Sequence, residues 1–200
     1  LMGRAFDAGN GVDKDIDKAK TYYRRAIDEC SDKSVIGKAQ GNLANILWDE
    51  SPLSEDKSEI VLLYESSMNN GSEISMQNLG YHYYDGYNIK SDYEKAYYYL
   101  RQAAQHKNTY VYTRLGYMCA NGQGIKKDYE MAKYWYEKGI EFNYSMCFNN
   151  LGSLYLNGQG VEQDYKRAFE LFEKAAELES DYGMSSLAFL YENGYGVNMD

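Results

Sequence analysis

A chain of 200 residues that is 44% hydrophobic and 26% charged can bury a core and falls outside the composition of disordered segments. Its net charge of −9 opposes binding to nucleic acid or to an anionic membrane, both of which need a basic field, and leaves basic proteins or peptides as the compatible partners. No run of about 18 apolar residues marks a membrane insertion and no basic-then-apolar start marks a secretory leader; because the sequence opens at Leu1 rather than Met, the second absence speaks only for the residues present.

Read from its start, the chain repeats one phrase. Met2-Gly3 begins it, and Leu43-Ala44, Leu79-Gly80, Leu115-Gly116, Leu151-Gly152 and Leu187-Ala188 restate it at steps of 36 residues. Self-similarity at such a period marks stacked repeats. The first unit, about residues 1–36, is entered mid-helix, with Asp15 at a helix N-cap position. From Ala19 to Ile60, the matching second-helix positions, the step is 41, so five extra residues fall between Cys30 and Gln40. The second unit (37–74) carries Trp48-Asp49-Glu50-Ser51-Pro52-Leu53-Ser54-Glu55 where later units have a double-glycine loop. The third (75–110) has Asn88 in place of a glycine, while the fourth (111–146) and fifth (147–182) are regular; the sixth (183–200) is partial. The whole reads as a single repeat domain.

Each unit predicts two amphipathic helices. In the fifth, Cys147, Leu151, Leu154 and Tyr155 share one helical face, as do Ala168, Leu171, Phe172 and Ala175. The first helix should stop at Asn121-Gly122, Asn157-Gly158 and Asn193-Gly194, where glycine takes the left-handed conformation. The second should start at Asp15, Asp56, Asp92, Asp128, Asp164 and Asp200, whose carboxylates accept from otherwise unpaired amides. Gly80, Gly116 and Gly152 lie inside a helix at a cost of about 0.5–1 kcal/mol each, which points to close packing against Ala96, Ala132 and Ala168. One hairpin cannot bury its own stripe, so successive hairpins stack into an all-α solenoid of about six 36-residue units.

The phrase from Leu151-Gly152 through Asn157-Gly158, Gly160, Asp164-Tyr165, Ala168 and Leu171-Phe172 to Ala175-Ala176 resembles the Sel-one-like repeat, a relative of the tetratricopeptide repeat. The resemblance implies a right-handed α/α solenoid acting as a scaffold or adaptor for other proteins. It covers nearly the whole chain and is strongest from Leu79 onward. Ile140 and Ala176 stand where cysteine-rich secreted relatives carry one member of a cysteine pair, so the chain does not look like that branch.

Chemical motifs are sparse. Gly122-Gln123-Gly124 and Gly158-Gln159-Gly160 look like phosphate loops, but no strand precedes them and no Lys-Ser/Thr follows, so they read as inter-helix turns. His82 falls in an apolar register and His106 in a polar turn, and no nucleophile, base and orienting acid converge, so no catalytic residue, metal site or cofactor is assigned. Cys30, Cys119 and Cys147 show no CxxC spacing and read as reduced thiols; with no visible leader they favour the cytoplasm. The sequons at Asn70 and Asn143 carry little weight.

The first-helix register also places a row pointing away from the hairpin core: Asn45 and Trp48; Gln77, Tyr81 and Tyr84; Thr113 and Tyr117; Ser153 and Leu156; Phe189. In tetratricopeptide-like stacks such positions line the concave face, and aromatic rings there suit protein binding. Sideways packing against the neighbouring repeat is the alternative for any one ring. Asn42, Asn78, Arg114 and Asn150 form a second ladder that could bind peptide backbone, or equally make bonds between repeats. The expected function is therefore a protein or peptide scaffold, with a cell-wall hydrolase and a purely structural spacer as alternatives. Neither end shows a polar cap, so further repeats or self-association are expected there.

Overall fold

The computed structural model describes residues 14–51, 57–86, 90–105 and 109–196. Met2-Gly3, Pro52 to Asp56, Asn88, His106 and Asp200 lie outside the described residues. The described chain is all helical and divides into two compact units, Leu1–Asn108 and Thr109–Asp200.

The first unit holds α1 (Ile16–Glu29), α2 (Lys33–Glu50), α3 (Ser58–Asn69), α4 (Glu73–Asp85) and α5 (Tyr93–Gln105). Helices α2 and α3, then α4 and α5, pair as hairpins, and α1 packs on α2 around Ala19, Tyr23, Ala39, Leu43 and Ile46. Four of the five extra residues lengthen the start of α2 and the fifth the end of α1; α2, which also ends one residue later than α4, runs 18 residues against 13. Asp32, not among the anticipated caps, starts it by accepting from the Ser34 and Val35 amides at 2.8 and 3.3 Å. The lengthened N-terminal part is tied to the end of α3: the Ser67 hydroxyl donates to the Gly37 carbonyl at 2.6 Å, and the Gln40 amide exchanges bonds with Ser66 and Asn70, each 2.9 Å.

The second unit holds a 3₁₀ turn (Thr109–Val111), α6 (Tyr112–Asn121), α7 (Tyr129–Ile140), α8 (Ser145–Asn157), α9 (Tyr165–Glu177) and α10 (Asp181–Asn193). Helices α6 and α7 form one hairpin, α8 and α9 the next, and α10 packs on α9. The anticipated start and stop signals operate in both units. Asp15, Asp92, Asp128 and Asp164 each accept from the amide three residues on, at 2.9–3.0 Å. Gly122, Gly158 and Gly194 end their helices at φ 70°, 64° and 68°.

The helix-internal glycines work differently from the expected small-on-small contact. A Cβ on Gly80, Gly116 or Gly152 would collide first with Leu100, Tyr136 or Phe172, the residue four beyond the alanine of the second helix. Each glycine is a hollow that seats a large side chain, and Ala96, Ala132 and Ala168 are fully buried beside it.

Gly183, at the start of α10, approaches α9 backbone: a Cβ there would stand 2.6 Å from the Ala176 nitrogen and 2.7 Å from the Ala175 carbonyl carbon. Main chain cannot turn aside as a side chain can. Gly183→Ala is expected to lower stability in urea unfolding by about 1–3 kcal/mol with helical circular dichroism retained; an unchanged midpoint would show that α10 can shift on α9 at no cost.

A candidate binding recess on the first-helix face

In the first unit a recess of about 470 Å³ opens between α2 and α4, lined by Asn45, Asp49, Asn78, Tyr81, His82 and Asp85. Its floor is built from the inside outward. Trp48 is fully buried and stacks on the His82 ring, centroids 4.2 Å apart and planes 15° apart, with the buried Tyr64 of α3 edge-on at 6.1 Å. The Tyr64 hydroxyl donates to Asn45 Oδ1 at 2.6 Å, and the Asn78 amide donates to the same oxygen at 2.9 Å. Since that hydroxyl has one proton, His82 Nε2, 3.1 Å away, must be the donor in its contact with Tyr64, which fixes the neutral tautomer. Burial, and secondarily the Lys57 charge, push the His82 ring down from 6.5 to about 4. Lys57 itself is buried, its ammonium 5.1 Å from the Trp48 ring centroid and 3.2 Å from the Ser51 carbonyl.

Trp48 therefore corrects the sequence expectation: its ring is not water-facing. The helical wheel shows which side leaves the hairpin core, and on α2 that side is covered by α4 of the following repeat. Leu156 is half-buried in a similar way, packed with the cluster of Ala168, Phe172 and Leu190. Tyr84 is half-buried with its ring 5.4 Å from that of Tyr93. Thr113 shares a hydrogen bond with Cys147 at 2.9 Å, and Ser153 donates to the Asn149 carbonyl at 3.0 Å. Gln77 is half-buried. Tyr81 lines the recess, whereas Tyr117 and Phe189 at the same register are 43% and 45% exposed.

Two members of the ladder bond within the protein. Asn78 bonds Asn45 of the preceding repeat, and Asn150 bonds the Tyr136 hydroxyl. Asn42 and Arg114 are half-buried. The glycine turn 158–160 borders a second recess, of about 580 Å³, lined by Lys133, Tyr155, Gly160, Val161, Glu162, Gln163 and Asp164. Two carboxylates and one lysine, the latter 3.6 Å from Glu137, make that loop a poor phosphate cradle. Burial raises the Cys147 thiol to about 11, which keeps it protonated and unreactive at neutral pH. Among the described residues no group of three or more His, Cys, Asp or Glu side chains is placed to hold a metal ion, and no helix is long and apolar enough to cross a membrane.

Stacked helical hairpins with a polar recess between first helices define a repeat protein of the α/α solenoid class. The sequence model of the Sel1 repeat matches residues 1–29, 74–108, 110–141 and 149–180, and the chain belongs to the Sel1 repeat family, whose members act as scaffolds for protein–protein interaction. The crystal structure of c5321, a protective antigen present in uropathogenic Escherichia coli strains displaying an SLR fold, is similar at 28% identity and TM-score 0.83, over 100% of this chain and 42% of the antigen. A Sel1 repeat protein from Oxalobacter formigenes is similar at 26% identity and TM-score 0.73, over 96% of this chain and 77% of that one. The chain thus spans less than half the length of the antigen. No curated protein matches it.

The neutral, half-buried His82 makes stability depend on pH. Its folded value near 4 lies below the 6.5 of the free side chain, so its contribution is complete above about pH 6.5 and is lost as pH falls towards 4. The loss should be on the order of 1–2 kcal/mol, below the full linkage value because part of the ring meets solvent. Urea unfolding at pH 7 and pH 4.5 should show that much less acid sensitivity in His82→Leu, which restores the apolar residue found at this register in Leu154 and Leu190; equal sensitivity would mean the ring accepts a proton in the fold.

Proposed function

We propose that this chain is a protein-interaction scaffold that captures a protein or peptide on the face carried by its first helices, the side that the family resemblance implies is concave. The observation that supports this reading is one register position. Tyr81, Tyr117 and Phe189 occupy it in the third, fourth and sixth repeats, 36 and 72 residues apart, and they point to the open side: one lines a recess, and the other two expose more than two-fifths of their surface. Rings held at the surface of a rigid helix offer contact area at a small loss of side-chain freedom, which is how aromatic residues come to dominate interface energetics. Asn45, Gln77, Tyr84, Thr113 and Ser153 would then be the polar and aromatic surround, and Trp48 and Leu156 the support beneath it.

Neither tyrosine at this position belongs to the buried core, so removing both should spare the fold. Tyr81→Ala/Tyr117→Ala is expected to keep its helical circular dichroism while capture of a partner from cell lysate, quantified by mass spectrometry against the unaltered chain, falls by about tenfold or more. Identical captures by the two baits would move the binding site off the first-helix face.

A further inference from the structure

In the second unit six aromatic rings run into one another as a single patch. Tyr110 of the 3₁₀ turn lies 5.6 Å from Tyr144, and Tyr144 lies 6.5 Å from Phe142, between ring centroids. Phe142 is 6.1 Å from Tyr112, which stacks at 5.9 Å on Trp135 of α7, and Tyr134 meets Trp135 edge-on at 5.0 Å. Tyr110, Phe142 and Tyr134 are 68%, 50% and 47% exposed. Trp135 is only 8% exposed, and its buried indole N–H, which can donate but not accept, has no acceptor among the described residues. The fold does not ask for these rings. One repeat on, the registers of Tyr134, Trp135, Phe142 and Tyr144 read Glu170, Leu171, Leu178 and Ser180, and the helices pair in the same way. Ser180 caps α10 by accepting from the Gly183 amide at 3.3 Å, whereas Tyr144, at the N-cap of α8, makes no side-chain cap bond. A short polar residue would satisfy an orphan amide there, so the ring at 144 stands where local structure favours something else.

We propose that this aromatic patch binds a proline-rich segment of a partner protein in the extended polyproline II form, with a backbone carbonyl of the segment accepting from Trp135 Nε1. The residues lie outside the first-helix row of Tyr81, Tyr117 and Phe189, so either reading can fail alone. What the patch offers is ring faces and hydrogen-bond donors, and the carboxylate beside Tyr112, that of Glu141, is held by Lys138 at 2.7 Å. A polyproline II segment is the complement. Proline has no N–H, and the helix makes no internal hydrogen bonds, so its carbonyls stay open to a donor. The segment is stiff before it binds and has little freedom to lose, and aromatic-lined surfaces are how such segments are recognised. The indole N–H is covered in the free chain, so engaging it requires a side chain of the patch to turn, a fast motion for a ring as exposed as Tyr134. Single-stranded nucleic acid also stacks on aromatic side chains, but the net charge of −9 repels its phosphates.

The test uses the full 200-residue chain, isotope-labelled for NMR, with acetylated decaproline amide as probe and a Gly-Ser peptide of equal length as control. The chain has two tryptophans and so two indole N–H signals. Decaproline should shift the signal of Trp135, assigned by its loss in Trp135→Leu, and leave that of Trp48 in place; the Gly-Ser peptide should shift neither. In calorimetric titration Tyr110→Ala/Phe142→Ala should bind decaproline at least about tenfold more weakly with helical circular dichroism unchanged, since both residues are exposed. Trp135→Leu, which installs the residue of the next repeat, should lose as much, and Tyr81→Ala/Tyr117→Ala should bind as the unaltered chain does. No decaproline binding, a shift at Trp48 alone, an equal response to the Gly-Ser peptide, or undiminished binding by Tyr110→Ala/Phe142→Ala would each overturn the proposal. So would a different occupant: chitohexaose or phosphatidylcholine vesicles binding while decaproline does not, or a dimer in light scattering that the same double variant abolishes. Lysate capture that depends on Tyr81 and Tyr117 while decaproline stays inert would sink this patch and leave the first-helix reading standing; decaproline binding with capture indifferent to those two residues would do the reverse.

Discussion

Three successive hairpins here, α4–α5, α6–α7 and α8–α9, depend on a large side chain seated in the hollow over a glycine. Leu100 lies over Gly80, Tyr136 over Gly116 and Phe172 over Gly152, so the second helix can take only one position along the first. That contact sets the hairpin register, the register sets which residues leave the core, and those residues decide what the surface offers. The glycine loses roughly 0.5–1 kcal/mol of helix propensity, a cost that burial of a Leu, Tyr or Phe side chain, worth about 1.5–3 kcal/mol, exceeds. The same glycine explains why the large residue rather than the nearby alanine carries the contact. Only something with reach can fill a hollow one side chain deep.

Much of this architecture was legible because it rests on local chemistry repeated at a fixed step. Aspartate caps and left-handed glycine stops act within a few residues, and four of the caps and three of the stops lie where the sequence put them. What the sequence hid was long-range. Trp48 falls on the outward side of α2 by angle alone, yet the outward side of one repeat is partly the inward side of a stack. A helical wheel cannot distinguish water from a neighbouring helix. The polar substitution of His82 into a column otherwise held by Ile46, Met118, Leu154 and Leu190 was the available sign that this place differed, since a ring with a hydrogen-bonding edge needs company.

The second repeat is also where the Sel1 repeat model makes no match, across residues 30–73. The structure gives that gap a physical form. Helix α2 is lengthened at its start and held there by Ser67 and Gln40, and at its end it runs one residue past the register of α4 without a left-handed glycine. Its last turn carries Trp48 and Asp49 onto the side of α4. Departure from the family pattern, the buried aromatic pair and the recess thus describe one local change seen at three levels.

A repeat protein contains its own controls, because the same register is sampled several times under nearly the same packing. At the position of Asn121, Asn157 and Asn193 the side chain has a structural task, closing the last turn of its helix. Where Asp49 and Asp85 stand instead, that task is given up, and the dipole at the helix end works against the charge that replaces it. Both departures stand on the first helices that enclose one recess, so the change from amide to carboxylate falls on that recess rather than at a scattered position. One register thus carries two chemistries in this chain, an amide that closes its own helix end and a carboxylate that faces the recess.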